Sequence, residues 1–313
     1  MTNTADRSLK IRNSVFLLLA AFLWGTTFVA QDVGMQYVGP YTYNTCRFLL
    51  GFLVLFPVAF FTGRIDPLGV NYTGIPIPNI TADAGSRWKQ LLTGGAACGL
   101  ILFLGGSFQQ VGIVYTTAGK SGFVTALYIV LVPVFGLFLH KKCTPLIWLA
   151  IVIAIIGFYL LCIKEGFSIN IGDLITLGAS VSYAMHILTV DHFVPNTNAV
   201  QLSCTQFLFA GLLSVVPMLL FETPTIEAVI RCAGPIAYAG ILSAGVACTL
   251  QIIGQRGLNP TLAALLMSLE SVISALAGWL VLGDVLSTKE FLGCVLVFTG
   301  VILAQIPFPE RKR

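Results

Sequence analysis

The stretches AAFLWGTTFVA, residues 20–30, and ASVSYAMHILT, residues 179–189, decide the fold because they are two versions of one apolar segment. A shift of 159 positions places the first over the second and aligns Trp24 with Tyr183. Each stretch belongs to a continuous apolar run rather than to an alternating pattern, which favours a buried helix over a strand. The sequence therefore predicts an apolar helix that occurs twice.

Further apolar runs fill the chain of 313 residues, of which 57% are hydrophobic and only 10% are charged. A soluble domain cannot bury so much apolar surface, and the runs approach the roughly 20 residues that a helix needs to cross a bilayer. We therefore predict an all-α integral membrane protein in the lipid bilayer, with an irregular loop at 63–89. Its ten transmembrane helices are expected at about 13–31, 42–62, 90–112, 120–139, 146–163, 172–190, 201–220, 232–254, 261–282 and 289–306.

The basic residues in the loops predict the orientation of these helices. With the N-terminus in the cytoplasm, most of the 17 Lys and Arg residues fall on the cytoplasmic side, as the positive-inside rule requires. We expect a multi-pass protein of the inner cell membrane with both termini in the cytoplasm. This asymmetry accounts for the net charge of +4 without a nucleic-acid partner.

The repeat continues beyond the first pair of stretches. The same shift aligns Arg47 with Gln206, and a shift of 145 aligns Gln110 with Gln255. We predict two five-helix repeats, residues 1–163 and 164–313. Because each repeat has an odd number of helices, the second enters the membrane in the opposite orientation, and secondary transporters with such inverted repeats bind solute near the midplane.

Four short motifs occur in this arrangement: LWG (Leu23 to Gly25), RF (Arg47, Phe48), SLE (Ser268 to Glu270) and LGD (Leu282 to Asp284). Together they resemble the motifs of the EamA group of the drug/metabolite transporter superfamily. The resemblance covers residues 13–306. It implies ten helices around a central cavity lined by the first, third, fourth, sixth, eighth and ninth helices, and movement of small organic solutes, often out of the cell.

Candidate substrate-binding residues are aromatic or polar side chains that lie deep in the predicted helices. A buried ring with a polar group, or a buried amide, must find a partner, which is either another helix or a solute. His186 has two equal interpretations, a solute or proton contact and a structural bridge, while Arg47 is expected to snorkel in a structural role. The candidates are Trp24, Gln110, Tyr128, Tyr183, His186, Gln251, Gln255 and Glu270.

Glu270 is also the candidate proton-coupling residue. It lies about 13 to 14 Å along its helix from Thr261, near the midplane of a hydrocarbon core about 30 Å thick. Small and adaptable residues share its helical face, so it does not face lipid. Removal from water favours the neutral acid and a nearby amine favours the carboxylate, so the group can exchange a proton for solute. The alternative is a structural glutamate that bridges helices.

The leading interpretation is a secondary exporter of an amino acid, an aromatic metabolite or a drug-like compound, driven by proton exchange. An uncoupled facilitator with the same cavity is the closest alternative. An intramembrane enzyme or a structural membrane protein is less favoured, because the chain has no cofactor motif, metal-ligand spacing or catalytic set, and because the inverted repeat suits transport. The sequence leaves a homodimer open.

Overall fold

The computed structural model describes residues 2–65, 84–116, 118–141, 143–162, 170–277, 280 and 287–306, and all regular secondary structure in them is helical. The α-helices are α1 Thr2–Met35, α2 Pro40–Ile65, α3 Ala84–Tyr115, α4 Ala118–Ala126, α5 Tyr128–Phe138, α6 Pro145–Cys162, α7 Ile171–Phe193, α8 Ala199–Phe221, α9 Ile226–Arg231, α10 Ala233–Ala237, α11 Cys248–Gln255, α12 Pro260–Met267, α13 Leu269–Ala277 and α14 Thr288–Ala304. Wider π-helical turns at Tyr238–Ala247, called the π segment below, join α10 to α11.

Eight helical stretches of the described residues are long and apolar enough to cross a membrane. The interrupted pairs α4–α5 and α12–α13 each count as one stretch, as does the run from α10 to α11. Large apolar side chains such as Leu53, Leu219 and Phe221 are more than half exposed, as expected for surfaces that face lipid rather than water. The all-helical membrane fold is confirmed, while the ten-span count stays a prediction.

Two helices are interrupted where the sequence predicted continuous ones. At Leu127, between α4 and α5, and at Ser268, between α12 and α13, the backbone tightens into a turn with hydrogen bonds between residues three apart. Neither position carries a Pro or Gly, so the helix-breaking signals in the sequence did not mark them. The predicted loop at 63–89 is shorter than expected, because residues 63–65 belong to α2 and residues 84–89 to α3. The rest of that loop lies outside the described residues, as does the LGD motif.

Close backbone contacts hold the bundle together. A Cβ atom at Gly25 of α1 would lie 2.6 Å from the backbone carbonyl of Glu270 on α13, and one at Gly157 of α6 would lie 2.8 Å from the carbonyl of Gly293 on α14. Glycine is therefore required at both contacts, as is common where membrane helices approach closely. The first contact brings α1 against the N-terminal turn of α13.

The start of α2 is fixed by a carboxylate at the end of α8. Glu222 accepts hydrogen bonds from the backbone N–H groups of Tyr41 and Thr42 at 2.8 and 2.7 Å, and from the Thr42 hydroxyl at 2.5 Å. A carboxylate at this end satisfies otherwise unpaired N–H groups and interacts favourably with the helix dipole. These bonds fix the first turn of α2 and thereby help to position Arg47 farther along it.

Candidate functional site

A central cavity lies between α1, α2, α3, α5, α7 and α8 on one side and the π segment, α11, α12 and α13 on the other. The space between its walls is about 760 Å³, including the part that is open at the mouth. The lining residues are Trp24, Thr27, Phe28, Gln31, Arg47, Phe48, Leu102, Gln109, Tyr128, Tyr183, His186, Ile187, Phe207, Ala239, Ser243, Ala244, Cys248, Gln251, Met267 and Glu270.

The two helix interruptions bring a tyrosine and an acid together in the cavity wall. Tyr128 is the first residue of α5 and Glu270 the second residue of α13. The Tyr128 hydroxyl donates a hydrogen bond to Oε1 of Glu270 at 3.3 Å, and the two residues are 3% and 9% exposed. Among the described lining residues, Glu270 is the single carboxylic acid. The carboxyl group thus has one protein partner and also faces the cavity.

The aromatic repeat mates, Trp24 and Tyr183, are each anchored on a helix of the other half of the sequence. Nε1 of Trp24 donates a hydrogen bond to the backbone carbonyl of Ser243 in the π segment at 3.3 Å. The Tyr183 hydroxyl donates to Oε1 of Gln109 on α3 at 2.9 Å. Both polar groups are therefore satisfied within the protein, which leaves the ring faces for contact with a bound molecule.

His186 also reaches the cavity, and it is held by a neighbouring helix. Its Nε2 lies 2.9 Å from Oε1 of Gln206 on α8, and both side chains are buried. The sequence left a solute contact and a structural bridge equally open for His186. The structure shows the bridge between His186 and Gln206, and it also places the imidazole ring of His186 on the cavity wall. Gln251 of α11, which is 3% exposed, is a further lining residue.

Two candidate residues do not line this cavity. Gln110 is fully buried, and its Nε2 makes a weak contact of 3.5 Å with Sδ of Met35. Neither amide atom of Gln255 has a hydrogen-bond partner within the described part of the chain. The adjacent residue Gln109 faces the cavity instead of Gln110, since successive residues point about 100° apart around a helix.

Arg47 is the functional candidate that the sequence interpretation missed. We expected its side chain to snorkel to the membrane surface, but it is 6% exposed and lines the cavity. Its guanidinium carbon lies 4.7 Å from the ring centroid of Phe48 and 5.7 Å from that of Tyr43. These rings hold the cation in place. Its depth in the second predicted helix was the signal that pointed to a functional position.

Comparisons with known proteins are consistent with this architecture. The model of the EamA-like transporter family matches residues 12–163 and 170–305. An "Uncharacterized transporter" of Archaeoglobus fulgidus is 28% identical over 93% of this chain and 84% of its own length. The "Uncharacterized transporter YwfM" of Bacillus subtilis is 24% identical over 96% and 95%. One solved crystal structure, 19% identical, covers 94% of this chain and 96% of its own, with a TM-score of 0.73, and so has the same fold.

Proposed function

Because this chain belongs to the EamA-like transporter family, we propose that it is a secondary transporter that carries a small organic solute out of the cell by alternating access. It is a multi-pass membrane protein, and the family and the names of its relatives point to a transporter rather than an enzyme. The proposal adds the mechanism and the direction of transport. It also places the protein in the inner membrane with both termini in the cytoplasm, in accordance with the distribution of basic residues.

The proposed architecture is ten spans in two inverted five-helix repeats, residues 1–163 and 164–313. Helix packing that occurs in related pairs supports it. Helix α1 packs on α13 as α7 packs on α4 and α5, while α2 packs on α8 and α6 packs on α14. Exchanging the two halves of the chain converts the α1–α13 contact into that of α7 with α4 and α5, and it leaves the α2–α8 and α6–α14 contacts unchanged. Two half-structures of this kind allow inward-open and outward-open states of similar energy.

The observation that carries the mechanism is the hydrogen-bonded pair of Tyr128 and Glu270 in the cavity wall. Among the described lining residues, no second acid is available to exchange a proton. A buried carboxyl group binds either a proton or the positive charge of a solute, because an unpaired charge is costly in a low dielectric. We therefore propose that solute and proton compete for Glu270, so that protons entering the cell drive the solute out. Trp24 and Tyr183 supply apolar surface for the solute.

Transport into proteoliposomes tests this function. Purified protein is reconstituted, a panel of radiolabelled amino acids and aromatic amines is added, and a pH gradient is imposed. For a transported compound, Glu270→Gln should abolish accumulation driven by the gradient while leaving solute exchange without a gradient. Tyr128→Phe, which keeps the ring, should retain gradient-driven transport at a reduced rate.

The outcomes separate the proposal from its closest alternative. If Glu270→Gln accumulates solute under the gradient as well as the wild type does, Glu270 does not couple protons to transport. If the wild type equilibrates a solute but never concentrates it at any gradient, the protein is an uncoupled facilitator. Absence of flux for every compound would contradict transport of this solute class.

A further inference from the structure

A buried arginine joins separate helices at the inner end of the bundle, where α1 begins and α11 ends. The orientation proposed above places this end in the cytoplasm. Arg256 directly follows α11 and is 2% exposed. Its Nη2 donates a hydrogen bond to the backbone carbonyl of Pro195 at 3.4 Å, and Pro195 lies in the short helical turn Val194–Asn196 between α7 and α8. The side chain thus connects the end of α11 to the α7–α8 connection.

The backbone of Arg256 is held on α1. Nδ2 of Asn13, a residue of α1 that is 1% exposed, donates a hydrogen bond to the carbonyl of Arg256 at 2.7 Å. A Cβ atom at Gly254 would lie 2.9 Å from the backbone carbonyl oxygen of Asn13, so glycine lets α11 approach α1 closely. At Gly257 the chain turns with a φ of 75°, which glycine adopts at little cost. Arg256 is therefore fixed to α1 by its backbone, while its side chain reaches the α7–α8 connection.

Two groups of helices meet at the bond between Arg256 and Pro195. In the first group α1 packs on the π segment, α11, α12 and α13, and in the second group α7 packs on α3, α4 and α5. The relation between the predicted repeats converts one group into the other. In transporters with inverted repeats, alternating access is largely a rocking of such groups around the solute site. A bond between the groups at one end keeps that end closed, and it must break before the cavity can open there.

The related contact at the opposite, outer end of the bundle is weaker. The shift of 145 aligns Val111 of α3 with Arg256, and the shift of 159 places the end of α1 over the connection that contains Pro195. At the outer end, Nε2 of Gln110 lies 3.5 Å from Sδ of Met35. A thioether is a weak acceptor, whereas a guanidinium group makes a charge-assisted hydrogen bond. The side chain of Val111 has no donor, so the inner end is held more firmly than the outer end.

We propose that Arg256 is a latch that holds the inner end of the cavity closed, and that its bond to the Pro195 carbonyl breaks when the cavity opens to the cytoplasm. Asn13 is a positioning residue, since it holds the backbone of Arg256 on α1. Because Val111 provides no such bond at the outer end, the resting protein favours the state that is closed to the cytoplasm. This role rests on the alternating access proposed above, and it adds the contact that controls opening to one side.

Chemical modification of a thiol in the cavity tests the latch without a solute or a pH gradient. Cys248 lines the cavity and is kept as the single cysteine, with alanine at the other cysteine positions. A membrane-impermeant methanethiosulfonate is added to the outer face in right-side-out vesicles or to the cytoplasmic face in inside-out vesicles. Arg256→Gln should raise the rate of modification from the cytoplasmic face at least about ten-fold, because it removes a hydrogen bond from a charged donor. The rate from the outer face should fall, since the inward-open state forms at the expense of the outward-open state.

Two further variants and a matched control separate a latch from general loosening of the bundle. Arg256→Lys keeps the charge but not the planar guanidinium group, so it should change the two rates less than Arg256→Gln does. Asn13→Ala should shift both rates in the same directions to a smaller extent, because it releases the backbone and keeps the guanidinium group. The control is Lys141→Gln. Nζ of Lys141 lies 2.6 Å from Oδ2 of Asp191 at the same end, but this pair joins the end of α5 to α7 within one group. Its loss should leave both rates unchanged.

Three results would overturn the latch. Unchanged rates in Arg256→Gln would mean that the bond to Pro195 does not control opening. Equal increases from both faces, together with a lower unfolding midpoint, would make Arg256 a structural residue. The same changes in Lys141→Gln would mean that loss of any charged contact at this end loosens the bundle.

The rates also distinguish failure of the latch from failure of the transport function. Opposite changes of the two rates in Arg256→Gln, in a protein that moves no solute, would contradict the transport function alone. Gradient-driven flux in the wild type, with unchanged rates in Arg256→Gln, would contradict the latch alone.

Discussion

Two pairs of buried side chains at or beside the cavity are aligned by the same sequence shift and yet are built differently. The α1–α2 corner consists of Thr27 and Arg47, and the shift of 159 relates it to the α7–α8 corner of His186 and Gln206. In the α7–α8 corner the two side chains bond to each other across the helices through Nε2 of His186 and Oε1 of Gln206, while Nε2 of Gln206 has no partner among the described residues. In the α1–α2 corner, Thr27 donates to the carbonyl of Leu23 in its own helix at 2.6 Å, and Arg47 keeps an unused donor.

The difference indicates which buried side chains serve helix packing and which are available to a ligand. A side chain bonded across two helices contributes to helix packing, because separating the helices would leave a buried polar group unpaired. A side chain that bonds only within its helix, or has an unused donor, contributes less to packing and has capacity left for a ligand. The corner that is bonded across helices therefore contributes to helix packing, and the corner without such a bond has more capacity left for a ligand.

The largest effect tests whether the two corners are related by an inverted repeat at all. In a cysteine-free variant, Lys141→Cys and Lys289→Cys place one thiol each at exposed ends of α5 and α14. We expect an impermeant maleimide to label them from opposite sides of the membrane, with Lys141→Cys accessible from the cytoplasm. Labelling of both thiols from the outside would contradict the inverted repeat. The two corners would then not be at related positions of the fold.

The next effect concerns the aromatic residues beside the two corners. Trp24→Ala and Tyr183→Ala should each lower the transport rate about ten-fold or more, because each removes a large ring that presents apolar surface to the solute. Abundance in the membrane should fall much less. Trp88→Ala is the control, since Trp88 is 60% exposed at the start of α3 and is not a lining residue. Normal transport by both variants at normal abundance would exclude these rings from the solute site.

The smallest expected effect is on the free energy of unfolding, which shows how much each corner contributes to the stability of the protein. His186→Ala leaves the buried amide of Gln206 without its partner and should lower the free energy of unfolding in detergent by about 1–3 kcal/mol. Thr27→Val removes a hydroxyl that bonds only within α1, so its change should stay within about 0.5 kcal/mol. Denaturant or thermal unfolding of the purified variants measures both. Equal decreases in the free energy of unfolding for the two variants would mean that the α1–α2 corner contributes as much to helix packing as the α7–α8 corner does.

Much of the candidate site follows from sequence patterns that a single helix already contains. Trp24 and Tyr183 are rings with polar groups in the middle of apolar runs, and the structure places both on the cavity wall together with Tyr128, His186, Gln251 and Glu270. An acid or an amide so deep in the membrane must face protein or a cavity. Residue type and depth alone therefore selected six of the twenty lining residues, and the motifs identified the family, which is confirmed.

The sequence by itself determined the membrane location, the helices and the family, because these depend on the length and composition of local runs. Tertiary structure alone decided which side of α3 faces the cavity, since a helix that is apolar nearly all round carries little amphipathic signal to set its rotation. This is why Gln109 rather than Gln110 lines the wall. Likewise, the interruptions at Leu127 and Ser268 and the burial of Arg47 depend on contacts between distant helices. Local composition does not contain those contacts.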